Sequence, residues 1–255
     1  MKAEIVSQLL ELNRSFYDVF GDAFAATRRR IQPGVYRVLR EWSPAETSAD
    51  WIDIGCGSGA LGQEWAAQGR QGSYSGVDFS LPLLREADKV VSGLNSETSG
   101  LKIQYFYGDL MSEEWPAPFS AGDADGVLAF ASLHHIPGAA HHRRIFSQVH
   151  GLLREGGVFI FSVWQFQHSE KLMKRVQPWS LAGIDPAELE PGDTLLDWRA
   201  ALPEQTERRG LRYVHLFSEA ELRTLAESAG FSVEESFLSD GKEGNQALYM
   251  KCRKN

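Results

Sequence analysis

Between Asp50 and Trp164 the chain alternates short apolar runs with amphipathic stretches, and this rhythm constrains the fold more than any other feature. Residues 50–54 form a short apolar strand ending in glycines, and residues 60–68 follow as helix. Residues 74–77 read as strand, 81–91 as helix, and 101–107 and 125–130 as strands. A helix over 143–153 is stopped by Gly156-Gly157, after which 158–164 has the unbroken apolar character of a strand buried on both faces. Repeated units of this kind build a mostly parallel sheet covered by helices on both sides.

The flanks add to that core. Apolar residues from Ile5 to Leu12, then Phe16, Val19 and Phe20, recur by threes and fours, which predicts a helix. Pro33 suits a first helical position, and a second helix runs toward Trp42 before Ser43-Pro44 breaks it. Residues 165–212 hold Pro178, Pro186, Pro191 and Pro203, which predicts a long excursion with short helices. Ser218-Glu219-Ala220-Glu221 is a capping box for a helix that runs to Ala229 and ends at Gly230. Two strands, 231–238 and 246–252, then close the sheet as an antiparallel hairpin. The expected organisation is an N-terminal helical segment laid over the functional edge of the core (1–45), the core itself (46–164), an insert covering that edge (165–212) and a C-terminal completion of the core (213–255).

Composition excludes several classes. Of 255 residues 43% are hydrophobic and 24% charged, the balance of a globular domain rather than a disordered or collagen-like chain. No run approaches the length of a membrane-spanning helix, and the first twenty residues carry acids throughout, unlike a secretory signal. Cys56 and Cys252 are too few for a disulfide framework or a zinc cluster, so a soluble, cytoplasmic, metal-free protein is expected. A net charge of −8 argues against a protein coated in positive charge for nucleic-acid binding. Three basic islands stand out nonetheless: Arg28-Arg29-Arg30, Arg208-Arg209 with Arg212, and residues 140–175 with six Lys or Arg against two acids. Each serves equally well as a solvated surface.

The chemistry concentrates at strand ends. Asp53-Ile54-Gly55-Cys56-Gly57-Ser58-Gly59 lies between a strand and a helix, where glycines let the backbone turn sharply and approach a ligand. The spacing differs from the dinucleotide pattern G-x-G-x-x-G, and the acid at Asp53 suits a ligand with a cationic amino-acid end. Asp78, before Phe79, is placed to accept from both hydroxyls of a ribose, and Asp109, before Leu110, from an exocyclic adenine amine. Either acid alone is also an ordinary helix N-cap. Three acids at three successive strand ends make a ligand site the better reading.

In these features the chain resembles the class I S-adenosylmethionine-dependent methyltransferases over nearly its whole length. The resemblance implies a Rossmann-like α/β fold, a seven-stranded, mostly parallel sheet with an antiparallel last strand. It also implies S-adenosylmethionine as cofactor, bound by Asp53, Gly55, Cys56, Gly57, Gly59, Asp78, Phe79, Asp109, Leu110 and Phe130. Within that class several segments are similar to the tRNA methyltransferases that esterify a carboxymethyl group on the wobble uridine: Ser132-Leu133-His134-His135-Ile136, Val163-Trp164, Phe24 with Thr27-Arg28 and Pro33, residues 192–198, and residues 211–218. A carboxylate acceptor is already ionised at neutral pH (ordinary pKa about 4) and needs positioning and a cation rather than a strong base. The expected clamp is Arg28, with His134, His135 and Trp164 as pocket wall and Tyr17 and Tyr213 hydrogen-bonding or stacking on the uracil. Family members commonly work with a small zinc-binding activator protein, so tRNA and such an activator are the implied partners. Two other readings stay open: a small-molecule O-methyltransferase for a carboxylic acid, phenol or quinone precursor, with Trp179, Leu181, Ile184 and Leu189 as pocket lining or as core; and a non-catalytic cofactor-binding subunit.

Overall fold

The computed structural model describes residues 1–26, 30–43, 48–91, 100–200 and 208–255. Two helices, α1 (Ala3–Ala26) and α2 (Pro33–Glu41), precede β1 (Ala49–Ile54), α3 (Ala60–Ala67), β2 (Gly72–Asp78), α4 (Leu81–Val91), β3 (Leu101–Tyr107), β4 (Ala124–Phe130), α5 (Ala139–Leu152) and β5 (Leu153–Trp164). The chain continues through α6 (Glu170–Met173), β6 (Val176–Gln177), β7 (Asp193–Ala200), β8 (Arg208–His215), α7 (Glu219–Ser228), β9 (Phe231–Ser239) and β10 (Ala247–Lys254).

Seven strands form one sheet in the order β3-β2-β1-β4-β5-β10-β9. β1 pairs in parallel with both β2 and β4, and β10 runs antiparallel between β5 and β9. Period-two alternation divides the core. Phe159, Phe161 and Val163 of β5 join Ile145, Phe146 and Val149 of α5 and Leu222 and Leu225 of α7 on one face. Val158 and Ile160 join Val35, Val38 and Leu39 of α2 and Leu61 and Trp65 of α3 on the other.

Three expectations need correction. Gly156-Gly157 do not stop α5: that helix ends at Leu152 and β5 begins at once, with Gly156 at φ +74° inside the strand. The pairing with β4 shifts register between Ala124 and Gly126 there, so the glycines make a bulge rather than a stop. The excursion after Trp164 does contain short helical turns, but its frame is a second, antiparallel sheet in the order β6-β7-β8. β8 runs across the expected boundary at 212/213 and places Tyr213, Val214 and His215 in this second sheet.

Helix α1 lies directly on β8. Gly210 makes this possible, because a Cβ there would stand 2.6 Å from the Phe20 ring and 2.8 Å from Phe16. Phe16 and Phe20 also pack edge-on against Trp198 of β7, with ring centroids 5.8 and 5.2 Å apart. Burial of Leu9 and Phe16 contributes roughly 2 kcal/mol each to holding α1 on this sheet. Among the described residues no helix is long and apolar enough to cross a membrane.

Candidate active site

The carboxyl ends of β1 to β5 meet along one edge of the large sheet, and β1 is where the strand order reverses. In open α/β sheets the crevice at that reversal is where ligands bind. A cavity of about 320 Å³ opens there. Its floor is Asp53 near the end of β1 with Gly55, Cys56 and Gly57 after it, Asp78 at the end of β2 with Phe79 after it, Asp109 and Leu110 after β3, and Phe130 at the end of β4. Its roof is Leu10, Asn13, Arg14 and Tyr17 of α1, and His135 closes one side.

The glycine loop is shaped by close packing and by left-handed backbone. Gly55, Gly57 and Gly59 have φ of +79°, +56° and +76°, a region that penalises any side chain. A Cβ on Gly55 would collide with Ser132 at 2.5 Å, whereas one on Gly57 would meet nothing within 4 Å. Gly57 therefore leaves the loop open to a ligand. Gly59 departs from expectation: it begins α3 with its backbone against Tyr105 and Ala87 and does not line the cavity.

The acids are tightly held. Asp53 is 3% exposed and accepts a hydrogen bond from the Tyr74 hydroxyl. Burial pushes its pKa up to about 7, opposed by the Tyr74 bond and reinforced by the nearby Asp78. Asp78 accepts from the Gly57 amide on one oxygen (2.9 Å) and the Ser80 amide on the other (2.8 Å), while burial raises its pKa. Asp109 accepts from the Met111 amide at 2.9 Å and from Arg14 Nη2 at 2.6 Å. Burial, with Asp53 and Asp78 close by, pushes the Cys56 thiol well up, which disfavours its thiolate form.

The second wall is assembled from distant segments. His135 faces Tyr17 (Nε2 to Oη 3.2 Å) and the Tyr213 carbonyl (Nδ1 to O 3.3 Å). A carbonyl only accepts, so Nδ1 carries the proton in the neutral ring, and Nε2 accepts from the Tyr17 hydroxyl. His134 packs at a tilt against His135 (4.3 Å between centroids, 51° between planes) and Trp164 (4.8 Å, 30°), and the Arg212 guanidinium lies 4.5 Å over the Trp164 ring. His134 is fully buried, and it, Trp164 and Arg212 stand behind the wall; of the expected wall residues His134, His135 and Trp164, His135 alone lines the cavity.

Tyr213 corrects the sequence reading. Its side chain is fully buried, and its hydroxyl donates to Asp193 at 2.7 Å, so it cannot stack on a base in the cavity. Asp193 also meets His215 Nδ1 at 2.8 Å, and His215 Nε2 meets Glu221 at 3.0 Å. Burial alone would lower the His215 pKa, but the bonds to Asp193 and Glu221 outweigh it and raise the value to about 9. The two motifs at 192–198 and 211–218 thus share a structural node. Trp179, Ile184 and Leu189 pack with Leu9 and Tyr213 as core, and Leu181 is exposed, so none of these residues lines this cavity. Arg28, the expected clamp, lies outside the described residues, as does Thr27. Sequence reasoning missed Asn13, 5% exposed, which donates to the His135 carbonyl and accepts from the Tyr213 amide. Its signal was a polar residue inside the apolar stripe of α1.

The donor set fits a nucleoside with a cationic tail: three carboxylates, an open glycine turn and a volume within the range of small-ligand sites. The sheet order and the acids at its strand ends define a Rossmann-like methyltransferase. Residues 24–236 match the family described as "Methyltransferase domain", and the chain belongs to that family, as an S-adenosylmethionine-dependent enzyme. It is 26% identical over 218 residues to a candidate methyltransferase of Encephalitozoon cuniculi, covering 86% of each chain. It is 31% identical over 115 residues to a ubiquinone biosynthesis O-methyltransferase of Pseudomonas aeruginosa, covering 44% of this chain and 43% of that one. An uncharacterised chloroplastic methyltransferase of Arabidopsis thaliana is 26% identical over 125 residues, 49% of this chain and 34% of that protein. For these last two the chain spans less than half of the relative's length. A solved S-adenosylmethionine-dependent methyltransferase of Methanosarcina mazei superposes with a TM-score of 0.63 at 24% identity, covering 88% of this chain and 98% of its own. At that identity the likeness is one of fold.

Proposed function

We propose that this enzyme esterifies the carboxylate of a 5-carboxymethyl-type wobble uridine in tRNA. The supporting observation is that three resemblance-bearing segments meet behind one side of the cavity, His134 and His135 with Trp164 and Arg212, and that His135 there contacts Tyr17 of α1. Bound S-adenosylmethionine supplies an electrophilic methyl group on a sulfonium. Asp78 and Asp109 hold its ribose and adenine, and Asp53 meets its amino-acid end. The acceptor carboxylate needs no proton removed, so the wall's work is to orient it and exclude water. In this reading Arg28 remains the proposed clamp, and a small zinc-binding activator protein is a proposed partner.

A second reading has an observation of its own. The Tyr17–His135 pair can take a proton, as a phenol or quinone-precursor acceptor requires, and the Pseudomonas relative is an O-methyltransferase of ubiquinone biosynthesis. Incubation of the enzyme and labelled donor with tRNA from cells lacking wobble-uridine methyl esters separates the two. A methyl ester on a 5-carboxymethyl-type uridine, detected by mass spectrometry of the digested tRNA with or without an activator, is the expected product. Transfer to small phenols and to no tRNA moves the assignment to the second reading.

A further inference from the structure

Leu10, Asn13, Arg14 and Tyr17 follow the spacing i, i+3, i+4 and i+7, so one face of α1 roofs the cavity. Arg14 and Tyr17 reach in different directions from that face. Arg14 Nη2 donates to Asp109 Oδ2 at 2.6 Å, while Tyr17 bonds His135 at 3.2 Å. Between them Asn13 is fixed on both its oxygen and its nitrogen, at 2.8 Å from the Tyr213 amide and 3.1 Å from the His135 carbonyl. The helix is thus pinned beside the acceptor wall, and Arg14 extends its hold to the donor floor.

We propose that Arg14 is a positioning residue of the donor site, acting through Asp109. This rests on the reading above that Asp109 receives the adenine amine. The Met111 amide holds Oδ1 at 2.9 Å, and Arg14 holds Oδ2, so the carboxylate is fixed at both oxygens before the donor arrives. An acceptor already fixed in place loses less freedom on binding. The pair is not a stability device: the Arg14 side chain is 50% exposed and Asp109 24%, and exposed pairs contribute little to folding. Its effect falls on donor affinity. A structural consequence is that Arg14, together with the Tyr17 ring against Phe79, ties α1 to the donor floor.

Calorimetry with S-adenosylhomocysteine on the full chain tests this. Arg14→Ala is expected to raise Kd about fivefold with no change in melting temperature, the scale of one lost hydrogen bond. Arg14→Lys is expected to recover much of the loss. Combined with Asp109→Asn, Arg14→Ala is expected to add nothing, because both changes remove the same interaction. Unchanged or tighter binding in Arg14→Ala, while Asp109→Asn binds more weakly, overturns the proposal and leaves the adenine reading of Asp109 standing. Unchanged binding in Asp109→Asn itself overturns that reading and, with it, the role of Arg14.

Discussion

Asp78 and Asp193 are both buried carboxylates at strand ends, yet they hold their surroundings together in opposite ways. Asp78 serves its own neighbourhood: its partners are amides of the adjoining strand-end loops, Gly57 and Ser80. Asp193 ties together chain segments twenty and more residues apart: Tyr213, His215 and, through His215, Glu221 at the start of α7. The donor floor is therefore built from short loops that follow parallel strands. The proposed acceptor wall depends on an ionic node that keeps the second sheet against the first. Damage to the floor should cost ligand affinity and spare the fold, whereas damage to the node should cost the fold first.

The largest expected effect is at the node. Asp193→Ala leaves His215 charged and Tyr213 without its acceptor, and breaking a buried pair in this way costs about 3–5 kcal/mol. Urea unfolding measures it, and a loss below about 1 kcal/mol would show that the node does not secure the second sheet. The node also sets a pH dependence. His215 has a folded pKa of about 9 against an ordinary 6.5, so its stabilisation is full below pH 6.5 and fades as pH rises through 9. His142, whose ring centroid is 5.5 Å from that of His215, is lowered to about 4 by burial and by the His215 charge. It contributes the opposite arm, weakening the fold as pH falls from 6.5 toward 4. Asp193→Ala should flatten the alkaline arm and leave the acid arm in place.

Next is Asp78→Ala on the floor. Loss of two charge-assisted bonds to a ribose is worth about 3 kcal/mol, a roughly hundredfold rise in Kd for S-adenosylhomocysteine. Circular dichroism should stay unchanged. Affinity within threefold of wild type would remove Asp78 from the site.

Asp53→Asn sharpens the comparison further, because here floor and fold pull against each other. With a folded pKa of about 7 against an ordinary 3.8, Asp53 loses stability for the chain as pH rises from about 4 to 7 and stays costly above. The amide should therefore stabilise the fold at pH 8, by on the order of 2 kcal/mol, while weakening donor binding. In the native enzyme, affinity for a donor with a cationic end should climb up to pH 7 and then level. A lower melting temperature in Asp53→Asn would overturn this account.

The same contrast explains what could be read from the sequence. Every residue of the floor follows from a local pattern, a strand period ending in Gly, Asp or Phe, because the parallel sheet brings strand ends to one edge whatever else the chain does; of the residues expected there, Gly59 lies off the cavity. The second sheet was invisible to that logic. Asp197, Arg212 and His215 are 1%, 3% and 2% exposed, and buried polar residues at these positions of β7 and β8 break the apolar alternation that marks a strand. The prolines between Pro178 and Pro203 reinforced the reading of a loop. Tyr213 escapes that logic for the same reason: its motif is legible, but which side of its strand faces the cavity depends on a register that only the pairing of Leu195 with Tyr213 fixes. The role of α1 was half legible. Its stripe predicted a helix, and nothing in the stripe said that Arg14 would find Asp109, 95 residues away.

The smallest predicted effect bears on the wall itself. Tyr17→Phe keeps the ring that packs edge-on against Phe16 and Phe79 and removes the hydroxyl bonded to His135. One neutral hydrogen bond is worth about 1 kcal/mol, so an acceptor KM about fivefold higher is expected, with the donor Kd unchanged. The pH profile carries the discrimination. If the acceptor is a carboxylate, it is ionised throughout, and kcat stays level between pH 6 and 9 in both Tyr17→Phe and the native enzyme. If it is a phenol, the Tyr17–His135 pair takes its proton, and Tyr17→Phe lowers kcat and moves the pH midpoint of the rise. A flat profile with a shifted KM keeps the wall as a surface that orients, and a displaced midpoint makes it a base.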